Sequence, residues 1–138
     1  MPAKDIYHHS VIKALIKDGW IITDDPLKLT WGKREFFVDL GAKQLIAAEK
    51  GERKIAVEIK SFIGLSQATE LEKALGQYIL YRDILEEKEP ERLLYLAIRK
   101  DTSEDIFAEP IGQLIVQKNK LKLLIFDENQ EIILTWIN

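Results

Sequence analysis

A chain of 138 residues, with 46% apolar and 31% charged side chains, is the size of one domain with a substantial core and too apolar to be disordered. Its net charge of -3, from 20 Lys and Arg against 23 Asp and Glu, argues against a uniformly basic coat for nucleic acid but leaves room for a local basic groove. With no Cys, and only His8 and His9, it can have no disulfide, thiolate nucleophile, Cys-based zinc site or multi-histidine cage, so a metal would be held mainly by carboxylates, as suits Mg²⁺ or Mn²⁺.

The N-terminal MPAKDIYHHS has neither the apolar run of a signal peptide nor an Arg-rich transit pattern. No apolar stretch approaches the ~20 residues of a membrane span. A cytoplasmic protein without a membrane partner is expected. No linker, repeat or low-complexity tract interrupts residues 1–138, which predicts a single domain. Residues 4–18 are predicted as a first helix stopped by Gly19, with Val11, Ile12 and Leu15 on one face and His8 in its middle. Trp20–Thr23 is a short strand closed by the Asp24-Asp25-Pro26 turn signal. Glu35–Leu40 is a strand ending at Gly41, and Gln44–Glu49 leads into a Lys50-Gly51-Glu52 turn. Lys54–Lys60 alternates, with Ile55, Val57 and Ile59 on one face and Ala56, Glu58 and Lys60 on the other, ordinarily the wet side.

Ser66 to about Lys88 is the longest predicted helix, with Ser66 as N-cap, Glu70 and Glu72 in its early turns and Pro90 beyond its end. Arg92–Arg99 lacks alternation and is predicted as a strand buried on both faces. Ser103–Lys118 is helical, with Pro110 either kinking it or starting a new helix. Leu121–Asp127 and Glu131–Ile137 form a C-terminal hairpin. This order predicts an α/β fold with a mixed sheet.

Asp39 and the Glu58-Ile59-Lys60 segment carry the candidate chemistry. Glu58 and Lys60 must project from one face of their strand. If the preceding strand pairs antiparallel with it, Asp39 falls nearby. Two carboxylates and an ammonium suit metal-assisted phosphodiester hydrolysis. Asp39 and Glu58, with the Ile59 carbonyl, would ligate the ion. Lys60 would hold or deprotonate the attacking water, or stabilise charge developing on phosphorus. The plain alternative is a solvated Glu/Lys pair, common on strands.

Gln77, on the long-helix stripe with Glu70, Ala74, Tyr81 and Ile84, would position water or touch phosphate, or is simply an exposed polar residue. His8 is either a satisfied core histidine or a lining residue of the site, and Lys4, one turn earlier, would meet phosphate or stay solvated. Lys50, Arg53 and Lys54 flank a hairpin tip and could grip a nucleic-acid backbone, or be a soluble charged turn. Trp20, Trp31 and Trp136 show no regular stacking pattern, so core filling is expected.

The blocks MPAKDIYHHSVIKALIKDGW, FFVDLGA, IAAEKGERKIAVEIKSFIG and LEKALGQYILYRDIL followed by PERLLYLAI closely resemble the XisH family, over essentially residues 1–127. These are excision controlling factors of the fdxN element in cyanobacteria. The resemblance implies a restriction-endonuclease-like PD-(D/E)xK fold, with an αβββαβ core whose mixed central sheet is flanked by helices. It assigns the motif acid to Asp39, the Glu and Lys of (D/E)xK to Glu58 and Lys60, and the helical Gln to Gln77. The motif's Pro is replaced by Val38, and Asp5 is the only early candidate for an extra carboxylate. The family is also associated with a partner protein, XisI, and with programmed DNA rearrangement, in which the excision itself is attributed to a recombinase; this implies DNA as a partner and a regulatory or auxiliary role. A homo-oligomer is compatible with the sequence. Two functions are therefore expected to compete: a Mg²⁺-dependent nuclease subunit, and a non-catalytic DNA- or partner-binding subunit on a nuclease scaffold.

Overall fold

The computed structural model describes residues 4–47 and 51–138. In chain order the elements are α1 (His8–Lys17), β1 (Ile21–Asp24), β2 (Leu27–Trp31), β3 (Arg34–Val38), β4 (Leu40–Ala47) and β5 (Gly51–Ile59). They are followed by α2 (Gln67–Lys88), β6 (Arg92–Arg99), α3 (Lys100–Glu104), α4 (Pro110–Asn119), β7 (Leu123–Asp127) and β8 (Ile132–Ile137). Six strands form a mixed sheet in the order β1-β4-β5-β6-β7-β8, and β2 and β3 form a separate hairpin. β5, β6 and β7 run parallel, joined through helices because a parallel pair needs a crossover, whereas the outer pairs are antiparallel.

Two cores sit on opposite faces of this sheet. On one, Val11 and Leu15 of α1 pack with Trp20, Leu40, Val57, Tyr95 and Leu124. On the other, α2 and the β2–β3 hairpin bring Tyr78, Tyr81, Leu29 and Val38 against Ala56, Leu94 and Leu96. Residues 55–59 are consequently buried on both sides. The face of β5 carrying Ala56 and Glu58, predicted as wet, lies under α2 and the hairpin.

The first helix starts at His8 rather than residue 4, because the Asp5 carboxylate accepts the Tyr7 N–H and turns the chain there. β2 was not predicted. Leu27 and Leu29 do alternate with Lys28 and Thr30, but the preceding Asp-Asp-Pro signal masks the short run. The predicted strand end at Gly41 is absent, and β4 runs through it. A Cβ there would lie 2.7 Å from Asp24 Oδ2 and 3.1 Å from Arg92 Nη1, so this glycine makes room rather than a turn. The Gln44–Glu49 strand is thus a continuation of β4 as far as Ala47, and its last two residues lie outside the described ones. Ser66 caps α2 by accepting the Thr69 N–H at 3.2 Å. Pro110 begins a new helix, at the first-turn position where its missing N–H costs nothing. Among the described residues no helix is long and apolar enough to cross a membrane.

Candidate functional site

The β4–β5 ladder ends at the Leu40–Val57 pair, and side chains take over from the backbone beyond it. Asp39 Oδ2 accepts the Ile59 N–H at 2.7 Å, while the Asp39 N–H donates to Glu58 Oε1 at 3.3 Å. This reciprocal pair fixes both carboxylates at the junction of β3, β4 and β5. Lys60 Nζ lies 3.7 Å from Glu58 Oε2. Its backbone is held too: the Lys60 N–H donates to Ala97 O, and the next residue, Ser61, donates to Asp5 Oδ2 and accepts from Arg99 Nη2. The lysine therefore leaves β5 in a clamped direction.

Gln77 and Tyr81, one turn apart on α2, complete the site from the other side. Together with Asp39, Glu58, Ile59, Lys60, Lys4, Asp5 and Phe37 they line a pocket of about 200 Å³. The Gln77 Oε1 is buried and has no hydrogen-bond partner among the described residues, an acceptor in want of a donor or a cation.

Burial and the neighbouring Asp39 charge push the Glu58 carboxyl up to about 8, against the pull of Lys60. Burial also raises Asp39, opposed by the hydrogen bond from Ile59. Burial, with the charges of Glu58 and Asp39, pushes the Tyr81 phenol up to about 12, so it remains a proton donor. Two crowded, desolvated carboxylates beside a hard carbonyl donor are chemically suited to an oxygen-seeking divalent ion. Among the described residues no group of three or more His, Cys, Asp or Glu side chains is placed to hold a metal. An ion here would therefore be completed by a carbonyl, water and substrate oxygens, as Mg²⁺ sites commonly are.

The residues singled out from sequence separate into two groups. Asp39, Glu58, Ile59, Lys60, Gln77 and Lys4 share the pocket. His8 does not line it; it is a buried histidine whose Nε2 lies 2.7 Å from Asp25 Oδ1. Arg53 and Lys54 also lie elsewhere. Adjacent strand residues face opposite ways, so the Arg53 guanidinium sits over the Trp20 ring at 5.4 Å, while Lys54 lines a separate surface pocket with Asp24, Lys43, Glu52 and Arg92. Both stand toward the far end of β5 from Glu58. Lys50 lies outside the described residues. Tyr81 and Phe37 were missed as pocket residues; the Gln77–Tyr81 spacing of one helical turn was the available signal for the first. Asp5 does reach the pocket rim, but its two oxygens already accept the Tyr7 and Ser61 N–H groups.

A family model described as XisH protein matches residues 1–134. An XisH family protein from Nostoc punctiforme, known from its crystal structure, is 41% identical, with 97% of this chain and 100% of that one covered and a TM-score of 0.88. The crystal structure of an fdxN element excision controlling factor protein from Anabaena variabilis is likewise 41% identical, covering 98% and 100% with a TM-score of 0.88. No curated protein gives a significant match.

Proposed function

This chain belongs to the XisH family, and from that premise we propose that it is an excision controlling factor that acts on DNA phosphodiesters as a divalent-metal-dependent, endonuclease-like protein. The observation that carries this reading is the convergence of Asp39, Glu58, Lys60 and Gln77 on one pocket. The order α1, β1, β4, β5, α2, β6, with β2–β3 as an inserted hairpin, supports a PD-(D/E)xK-type αβββαβ core around it.

Asp39, Glu58 and the Ile59 carbonyl would hold Mg²⁺ or Mn²⁺, which when bound polarises a phosphate and lowers the pKa of water. The chain's own groups supply the rest. Lys60 orients the attacking water or meets the charge developing on phosphorus. Gln77 offers its unpaired oxygen to a water proton, and the protonated Tyr81 phenol donates to a phosphate oxygen. Lys4, about half exposed at the rim, meets the flanking backbone phosphate. An XisI-like protein would be the partner that directs this activity to its DNA.

With supercoiled DNA and Mn²⁺, cleavage is expected to fall by roughly 10² or more in Asp39→Ala and in Lys60→Ala. Unchanged cutting in both variants overturns the enzyme reading. The net charge of -3 motivates the second reading, a non-catalytic DNA- or partner-binding subunit on a nuclease scaffold. In that case excision survives Asp39→Ala.

A further inference from the structure

About 100° around α2 from Gln77, Tyr78 and Arg82 face a different recess, enclosed by the end of α2, the start of β6 and the α4–β7 connection. It measures about 140 Å³, and four of its lining residues are cations: Arg82, Arg92, Lys120 and Lys122. Among the described lining residues Glu86 carries the one carboxylate. So dense a positive cluster is unexpected in a chain of net charge -3. Among the described residues Arg82, Lys120 and Lys122 have no carboxylate within ion-pairing distance, and Arg92 has only Glu89.

The two arginines of the cluster are held in place by the fold, while Lys120 is exposed at its edge. The Arg92 side chain is only 8% exposed, and its Nη1 donates to Ile55 O at 3.0 Å. Its Nε lies 3.3 Å from Glu89 Oε2, close enough to pair electrostatically but out of line for a hydrogen bond, so this buried donor is unmet. Arg82 donates to Asn119 O and lies over the Tyr78 ring at 5.4 Å, leaving most of its five N–H groups free. Tyr78 OH donates to Leu94 O at 2.9 Å and accepts the Lys122 N–H at 3.1 Å, which fixes the floor and the backbone of one lysine. Lys120, in the left-handed conformation that ends α4, turns the chain into the recess.

Four like charges around one small cavity repel one another, and an unmet buried N–H adds its own desolvation cost. A multivalent oxyanion relieves both, and guanidinium and ammonium groups are its usual ligands. The size admits a phosphate group and excludes a base pair. We propose that this recess is a phosphate-binding site, separate from the candidate metal site and independent of whether that site cuts DNA. The phosphate would come either from a free anion or from the backbone of a bound nucleic acid.

The test uses the full chain in chloride buffer of matched ionic strength, with inorganic phosphate and a short DNA duplex as separate probes. Lys122→Gln and Lys120→Gln each remove one cation of the recess, and Lys118→Gln removes the same charge from α4 outside it. Saturable thermal stabilisation by phosphate, weakened about tenfold in either recess variant but not in Lys118→Gln, supports the proposal with a free anion as ligand. Duplex binding that weakens by a similar factor in the recess variants alone, and loses about one unit of salt slope, supports it with the nucleic-acid backbone as ligand. If neither probe distinguishes the recess variants from Lys118→Gln, the proposal is wrong.

Discussion

At Glu58, burial and the Asp39 carboxylate act in the same direction, and Lys60 at 3.7 Å opposes them without cancelling them. The carboxyl is held at about 8 in the fold against an ordinary 4.5. Between those two values the folded chain keeps a proton that the unfolded chain gives up. The contribution of Glu58 to stability therefore falls as pH rises from 4.5 to about 8, and levels off above it. Glu58→Gln is expected to flatten that slope and to make the metal-free protein more stable at pH 8, as urea titrations across the range would show. A slope unchanged by the substitution would mean that another group titrates. The position of Glu58 and Lys60 on one face was legible from strand alternation alone, and the return of Asp39 to the same place from the turn between strands. The burial of that face was not, because alternation says which residues share a side and nothing about what covers it. Arg53 and Lys54 show the converse: charges adjacent in the sequence are sent by the pleat to opposite faces.

Among the helices, two glycines make opposite demands. Gly76 is exposed in the middle of α2, and a Cβ added there meets nothing within 4 Å. Gly76→Ala should stabilise the protein by about 1 kcal/mol through helix propensity alone. Gly112 in α4 faces the backbone at its own entrance, where a Cβ would stand 2.2 Å from Ile106 O and 2.6 Å from Phe107 Cα. Gly112→Ala should cost about 1–3 kcal/mol or more, since backbone cannot step aside as a side chain can. Urea midpoints moving in the same direction for both would contradict this. The long helix, its Ser66 cap and the both-sides-buried β6 could be read in advance because each depends on local chemistry. The β2–β3 hairpin could not: its stability comes from Leu27, Leu29 and Val38 meeting α2, a contact made across the chain.

Across the whole molecule, consecutive residues of the same strands serve both cores. Leu124 belongs to the α1 side, whereas Leu123 and Ile125 belong to the α2 side. Neither core can dissolve without stripping the strands that the other rests on. Leu124→Ala should therefore cost about 3 kcal/mol and still unfold in one step. Fluorescence read in a Trp31→Phe background, which leaves Trp20 and Trp136 of the α1 core, should track far-UV circular dichroism throughout; separated transitions would show the two halves to be independent. The alternation of helices and strands was enough to predict a mixed α/β sheet. Its order was not, since pairing β1 with β4 and setting β2–β3 aside is decided by contacts between distant segments.

The exchange of hydrogen bonds between Asp39 and the end of β5 has a consequence for how inheritance at this site should be read. Asp39 closes the strand pair as well as facing the pocket, so a descendant that had abandoned any chemistry would still be under pressure to keep it. Among the described residues Lys60 makes one ion pair with its side chain, and drift would erode it first. The lysine is the better witness to a working site.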